Sequence, residues 1–203
     1  MKTVLWTGIM LGVSLAFSQS ASAVSGKLTI VTSFPKDLTE VYRQAFEAEN
    51  PGVNIEVLNK KTTAGIKYLQ ETVGNNSSDL FWASAPDAFE VLKGDDLLVQ
   101  YRPKADGIPD KIGAFPINDP DGYYSGFAAS GYGIMWNERY IKAKKLPIAK
   151  EWEDLKQAVY HGHVGMSAPS RSGTTHLTVE TVLQGMGWEA GWAEWKEIAG
   201  NFK

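Results

Sequence analysis

The chain has 203 residues, with 20 basic and 23 acidic side chains and a formal net charge of −3. This slightly acidic balance argues against nucleic acid and anionic membrane surfaces as partners. The chain has no cysteine, so neither a disulfide nor a thiolate metal site can stabilise its fold. A hydrophobic content of 43% is typical of a globular protein.

The first 23 residues have the pattern of a secretory signal peptide. Lys2 precedes an apolar run from Val4 to Phe17, and Ala21-Ser22-Ala23 forms a small-residue cleavage signal. The run is short and is interrupted by glycine and polar residues, which disfavours a membrane-spanning helix. We therefore expect residues 1–23 to be removed on export and the mature protein to be periplasmic, with an uncleaved anchor as the alternative.

Residues 28–94 alternate between predicted strands and predicted helices. Short runs rich in β-forming residues predict strands at 28–32, 53–57 and 79–83. Apolar residues at helical spacing follow each strand; the first helix ends at Asn50-Pro51-Gly52 and the third begins at Pro86. This β-α-β-α-β-α order predicts a parallel sheet with helices on both faces.

The rest of the chain is less regular. Residues 101–122 are rich in proline and glycine and predict a long surface excursion. Residues 126–137 combine glycine with β-forming residues and predict one or two strands that cross between two lobes. Beyond them the sequence predicts helices at 137–143 and 152–159, a strand at 164–167, and helices at 174–186 and 188–198.

Three loops each follow a predicted strand and begin a helix: Ser33-Phe34-Pro35, Ser84-Ala85-Pro86 and the segment from Ser170 to Thr175. Ligands of open α/β sheets bind beyond the carboxyl ends of the strands. Helix N-termini present unpaired N–H groups and the positive end of the helix dipole, which favour anions. The loops therefore predict a polar, anion-binding cleft; the alternative is three ordinary helix starts that bind nothing.

The third loop carries the strongest signal. Ser172 is a predicted N-cap, Gly173 would let a ligand approach the backbone, and the hydroxyls of Thr174 and Thr175 add hydrogen-bonding groups.

No catalytic or metal-binding motif is complete. Ser172 and His176 lie four residues apart on one predicted helix, but the sequence places no carboxylate that would orient the imidazole. His161 and His163 could share one face of a strand as metal ligands, although a solvated turn is the preferred interpretation. We therefore predict no enzymatic activity, no cofactor and no metal site.

Six segments, taken in order, are similar to a known family: Lys27–Ser33, Gly131–Asn137, Leu146-Pro147, Trp152–Leu155, Gly162–Val164 and Ser167–Thr175. Together they resemble the extracellular solute-binding proteins of ABC transporters, which have the type II periplasmic-binding-protein fold. Within that family the resemblance is to the branch of iron(III), phosphonate, sugar-phosphate and phosphoglycerate binders. It implies an α/β fold of two lobes that are joined by crossing strands and close on the ligand by a hinge.

The resemblance also implies a domain division and a set of site residues. The first α/β lobe would cover residues 24–130, and a crossing strand with a partial second lobe would cover 131–203. The ligand-binding residues it implies are Ser33, Phe34, Ser84, Ala85, Ser172, Gly173, Thr174 and Thr175. Because two full lobes require roughly a hundred residues more, the resemblance implies a C-terminally truncated member with an incomplete second lobe.

The expected function is that of the periplasmic substrate-binding component of an ABC importer for a hexose phosphate, a phosphoglycerate or an aminoethylphosphonate. One alternative is an iron(III)-binding transport protein with a synergistic anion. Another is a periplasmic ligand-sensing subunit that acts with a membrane signalling protein. The expected partners are a small anionic solute, an ABC permease in the inner membrane and, for the sensing role, a membrane sensor.

Overall fold

The computed structural model describes residues 24–75, 77–104, 107 and 109–203, so the predicted signal peptide lies outside the described residues. Residues 25–94, here called the sheet region, contain three strands that alternate with three helices. These elements are β1 (Ser25–Thr32), α1 (Lys36–Glu49), β2 (Gly52–Asn59), α2 (Thr62–Glu71), β3 (Leu80–Trp82) and α3 (Pro86–Gly94). The predicted β-α-β-α-β-α order is confirmed.

The three strands form a parallel sheet in the order β2-β1-β3. Successive side chains of β3 point to opposite faces. Trp82 packs against Tyr42 of α1, and Phe81 packs against Phe89 of α3, with ring centroids 5.3 Å apart in each pair. A Cβ at Gly65 of α2 would lie 2.9 Å from the Phe81 ring, so glycine permits the close approach of α2. Helices therefore cover both faces of the sheet, as predicted.

Helix α1 turns much of its apolar face to solvent. Val41 and Tyr42 are 65% and 52% exposed, whereas Thr39 is buried. The helix is tied to the sheet by polar contacts, because the Glu47 carboxylate accepts the Ile55 N–H at 2.8 Å. The regular apolar spacing of α1 predicts its helical conformation but not which side of the helix is buried.

Residues 95–125, here called the connecting segment, contain a small antiparallel pair, β4 (Lys111–Ile112) and β5 (Phe115–Pro116). Residues 126–137, all of which are described, contain no strand, so the predicted crossing strand is wrong. These residues have strand-forming composition, but a strand also requires a partner whose N–H and C=O groups complete its ladder. The described part of the chain places no such partner beside them.

Residues 138–203, here called the helical region, contain α4 (Glu138–Lys144), α5 (Gly173–Met186) and α6 (Trp188–Ala199). The predicted helix at 152–159 is instead two short 3-10 helices, Trp152–Lys156 and Ala158–Tyr160. The first of these is capped by Asp154, whose Oδ2 accepts the Lys150 and Glu151 N–H groups. The predicted strand at 164–167 is reduced to one parallel bridge between Val164 and Phe202.

The helical region has its own hydrophobic core. Trp195 and Ile198 of α6 are 5% and 0% exposed and pack with Val182 and Leu183 of α5. The buried Trp195 indole N–H donates to the Val179 carbonyl at 3.2 Å, and the buried Glu194 carboxylate pairs with Lys156 Nζ at 2.9 Å. No helix within the described ranges is long and apolar enough to cross a membrane.

Candidate functional site

The N-terminus of α5 has the geometry that the sequence predicts. A short 3-10 helix, Pro169–Arg171, leads into Ser172, whose Oγ accepts the Thr175 N–H at 3.4 Å. Thr174 is exposed and Thr175 is buried. The turn therefore presents the positive end of a 14-residue helix beside an accessible hydroxyl, which favours an anion.

Gly173 joins this turn to the sheet region. A Cβ built at Gly173 would lie 2.8 Å from Thr62 Oγ1 and 3.0 Å from the Ala85 Cβ. Thr62 is the first residue of α2, and Ala85 is the N-cap of α3. Three helix N-termini therefore converge here. Because glycine has no side chain, the three helices can pack closely at Gly173. The structure therefore gives this glycine a role in helix packing, whereas the sequence predicted that it lets a ligand approach the backbone.

The other predicted site residues lie at the carboxyl edge of the sheet. The Ser33 N–H donates to the Trp82 carbonyl at 3.3 Å, which ties the loop after β1 to the end of β3. The Phe34 N–H donates to Thr32 Oγ1 at 3.1 Å, and its ring lies 5.1 Å from that of Trp82. Ser84, half-buried, stands directly before Ala85. The structure thus brings Ala85 and Gly173 into contact and places Ser33, Phe34 and Ser84 on the same edge.

His176, in the first turn of α5, makes a contact that sequence reasoning missed. Its Nε2 lies 3.1 Å from Asp87 Oδ2 of α3 and 3.7 Å from Glu180 Oε1. The interpretation that no carboxylate stands near this imidazole is therefore wrong, because α3 supplies one from 89 positions earlier in the chain. Ser172 Oγ nevertheless serves as a helix cap, and the contact links α5 to α3.

Two aromatic residues at the same edge were also missed. Trp82 ends β3, and Phe127 follows the connecting segment; their ring centroids are 5.5 Å apart. Phe127 also contacts Phe34, at 5.9 Å. The position of Trp82 directly before the Ser84-Ala85-Pro86 loop was a usable signal. No local signal marks Phe127, because its contact with Trp82 and Phe34 depends on how the connecting segment folds.

A buried charge pair anchors that intervening segment to α3. Asp119 is 1% exposed, and its Oδ1 accepts from Lys93 Nζ at 2.9 Å while its Oδ2 accepts the Tyr123 N–H at 2.9 Å. Burial by itself raises the pKa of Asp119, but the hydrogen bonds from Lys93 and Tyr123 outweigh it, so the pKa lies below its usual value. The carboxylate therefore stays charged and keeps the loop fixed.

The two consecutive tyrosines have different surroundings. Tyr124 donates its hydroxyl to Glu90 and packs on Phe89, and burial together with that hydrogen bond raises its pKa. Tyr123 lies with its ring 5.3 Å below Lys93 Nζ. Across the described ranges, no group of three or more His, Cys, Asp or Glu side chains is arranged to hold a metal ion.

One concavity of the described residues lies away from this site. It has a volume of about 500 Å³ and opens between α2 and the amino-terminal half of β1. Its lining residues are Lys27, Thr29, Glu56, Leu58, Tyr68, Ser77 and Asp79. Because ligands of open α/β sheets bind at the carboxyl ends of the strands, we place the candidate site at the helix N-termini and not in this concavity.

Sequence comparison identifies relatives that match most of the chain. Residues 75–203 match the family model described as bacterial extracellular solute-binding protein. The phosphoglycerate transport regulatory protein PgtC of Salmonella typhimurium is 32% identical over 186 residues, which cover 90% of this chain and 45% of PgtC. PgtC of Salmonella typhi matches with the same identity and the same coverage. The chain thus spans about half the length of the curated relatives it matches.

Solved structures show the same fold. AfuA, a periplasmic binding protein of Actinobacillus pleuropneumoniae solved with fructose-6-phosphate, superposes with a TM-score of 0.73 at 21% identity, over 88% of this chain and 56% of AfuA. Iron-bound HitA of Pseudomonas aeruginosa superposes with a TM-score of 0.68 at 18% identity, over 87% of this chain and 55% of HitA. The fold is therefore the α/β fold of type II periplasmic binding proteins, matched over about half of their chains, and the protein belongs to the bacterial extracellular solute-binding proteins.

Proposed function

We propose that this protein is the periplasmic substrate-binding component of an ABC importer for a phosphorylated or phosphonate organic solute. The observation that carries the proposal is the 32% identity to a phosphoglycerate transport regulatory protein over 90% of the chain. The convergence of three helix N-termini at Gly173 supports it, because unpaired N–H groups and helix dipoles there favour an anionic group.

The proposed residue roles follow from the geometry of the site. Ser172 and Thr174 would donate hydroxyl hydrogen bonds to the anionic group, with Gly173 and Thr175 shaping the turn. Ser33, Phe34 and Ser84 would line the adjoining side, at the carboxyl edge of the sheet, and Ala85 would support the turn from its contact with Gly173. Residues 1–23 would direct the chain to the periplasm, where an inner-membrane ABC permease would be its partner.

A sensing role is the second candidate function. PgtC is named a transport regulatory protein, and a protein described as mediating two-component signal transduction shares the fold with a TM-score of 0.62. Binding and sensing use the same cleft, so the two roles differ in the membrane partner. Loss of solute uptake after gene deletion supports import, whereas intact uptake with loss of solute-induced transcription supports sensing.

Iron(III) binding is the less supported alternative. The likeness to HitA is at 18% identity and concerns the fold. The Tyr124 hydroxyl donates to Glu90, and the described ranges hold no group of three or more His, Cys, Asp or Glu side chains arranged for a metal ion. We expect no tyrosinate-to-iron absorption band when iron(III) and citrate are added to the purified protein; a visible band would favour the iron-binding role.

The site is tested by replacing the α5 cap. Ser172→Ala removes one hydrogen bond to the anionic group, so its affinity for 3-phosphoglycerate or a hexose phosphate should fall by about 1–3 kcal/mol in calorimetry. Asn137→Ala is the matched control, because Asn137 caps α4 in the same way by accepting the Tyr140 N–H at 3.1 Å. Equal affinities of the Ser172→Ala variant and the wild type would exclude this turn as the anion site.

A further inference from the structure

Three aromatic rings form a wall at the carboxyl edge of the sheet, and we propose that this wall binds the uncharged ring of a cyclic organic phosphate. The aromatic wall consists of Phe34, Trp82 and Phe127, whose ring centroids lie 5.1, 5.5 and 5.9 Å apart. The inference rests on the proposed function and narrows its ligand from any small organic phosphate to one that contains a ring, such as a hexose phosphate.

One side of the aromatic wall packs against α1, and the other side is accessible to solvent. Tyr42 of α1 packs edge-on against Trp82 at 5.3 Å. Phe127 remains 53% exposed, although it touches both other rings of the wall. A large apolar side chain held at the ligand-binding edge of an α/β sheet has the character of a binding surface, because pockets for organic ligands are lined by aromatic side chains with a few polar groups.

The position of Phe127 is fixed by its neighbours. The N–H of Gly126 donates to the Ile117 carbonyl at 2.8 Å and to Asn118 Oδ1 at 3.2 Å. A Cβ at Gly126 would lie 2.5 Å from the Ile117 oxygen, so only glycine allows this bend. The same loop is held to α3 by buried Asp119. Phe127 is therefore presented by a rigid support, which lowers the entropy cost of ligand binding.

The aromatic wall is within reach of the proposed anion site. Trp82 and Ala85 are three residues apart, a separation of at most about 10 Å in extended chain. Ala85 in turn contacts Gly173 at the start of α5. A molecule of sugar-phosphate size can therefore hold its phosphate at the α5 turn and lay the C–H face of its ring on the wall. A three-carbon phosphate has no ring to place there.

The test compares ligands with and without a ring. Calorimetry on the full chain would use glucose 6-phosphate, 3-phosphoglycerate and inorganic phosphate as probes. We expect glucose 6-phosphate to bind most tightly. Phe127→Ala should lower the affinity for glucose 6-phosphate by about tenfold, which is the upper part of the range for an aromatic contact. The affinities for 3-phosphoglycerate and inorganic phosphate should change by less than twofold. Phe115→Ala is the control, since Phe115 of β5 is an exposed aromatic outside the wall, 72% exposed against 53% for Phe127.

Each other outcome identifies which idea has failed. If phosphates bind and Ser172→Ala weakens them, but Phe127→Ala weakens all three equally or none, the proposed function stands and this inference is wrong. If no phosphate binds, both fail. If Phe127→Ala instead abolishes a dimer, the wall is an interface between copies, and the inference is again wrong. Phe127→Leu keeps the apolar volume without the ring, and its thermal unfolding should match the wild type, so a loss confined to glucose 6-phosphate reports the ring.

Discussion

The sheet region and the helical region satisfy their backbones by different means. In the sheet region, β1 and β2 pair over eight residues each, from Ser25↔Gly52 to Thr32↔Asn59. In the helical region, the backbone pairs mainly within helices and turns, and some side chains add to this; the Asn201 amide, for example, donates to the Leu155 and Gln157 carbonyls at 2.7 and 3.0 Å. Chain segments with β-forming residues therefore become strands only where a partner strand lies beside them.

The two regions meet through few contacts. Gly173 packs on Thr62 and Ala85, and His176 reaches Asp87. Each region has its own buried apolar side chains, such as Leu92 in α3 and Ile198 in α6, both 0% exposed. This arrangement suits a protein in which two bodies move relative to each other, because small interfaces between bodies permit such motion.

The largest expected effects come from opening a cavity in each core. Leu92→Ala and Ile198→Ala should each cost about 2–5 kcal/mol in the free energy of unfolding, measured in urea. Because the regions share few contacts, Ile198→Ala should speed hydrogen exchange in α5 and α6 and leave the amides of β1 protected. An equal increase of exchange in β1 would show that the two regions unfold as one unit.

The next prediction concerns the contact between the regions. Gly173→Ala forces a methyl group against Thr62 and Ala85, and overpacking of this kind costs about 1–3 kcal/mol. Gly185→Ala is the matched control in the same helix, because nothing lies within 4 Å of a Cβ there. This substitution should raise the free energy of unfolding by at most about 1 kcal/mol. Urea unfolding compares both variants; equal stabilities would show that the Gly173 contact is not tight in solution.

Sequence reasoning succeeded where structure is decided locally. The order of elements from β1 to α3 and the helix starts at Pro86 and Ser172 were predicted, and the family is confirmed by the comparisons. Periodicity, proline position and capping residues are short-range signals, and each of these features depends on residues within a few positions. The roles of the individual site residues stay predictions.

Long-range contacts account for what was missed. The strands predicted at 126–137 and 164–167 required partners far away in the chain, and the partner of Val164 is Phe202. Asp87 lies beside His176, and Phe127 lies beside Trp82, through folding of intervening segments that carry no local signal. Trp195 is 5% exposed because α5 and Trp152, which lies 43 positions earlier in the chain, pack against it.

Two carboxylates, Asp119 beside α3 and Asp154 in the helical region, should each contribute to the acid sensitivity of the fold. Asp119 and Asp154 both have lowered pKa values: hydrogen bonds from Lys93 and Tyr123 outweigh burial at Asp119, and the Lys150 and Glu151 N–H groups act at Asp154. A lowered pKa stabilises the folded state above about pH 4, and this contribution is lost as the pH falls through the folded-state pKa.

Both substitutions, Asp119→Asn and Asp154→Asn, should therefore flatten the fall in stability between about pH 5 and pH 3. Hydrogen exchange locates the effect: the Asp119 variant should lose protection near α3 and the Asp154 variant near residues 152–156. Acid profiles identical to the wild type would show that neither carboxylate is held in its charged form.

The smallest effects are expected at two residues with left-handed backbone. Asp96, after α3, and Lys145, the C-cap of α4, have φ values of 56° and 54°. This conformation costs an L-residue about 1–2 kcal/mol, less for aspartate, which visits it more readily than lysine. Glycine relieves the strain but loses more chain entropy on folding. Lys145→Gly should therefore stabilise the protein by about 0.5–1 kcal/mol, and Asp96→Gly by less, in urea unfolding. A larger gain at Asp96 than at Lys145 would contradict this ranking and place the greater backbone strain at the end of α3.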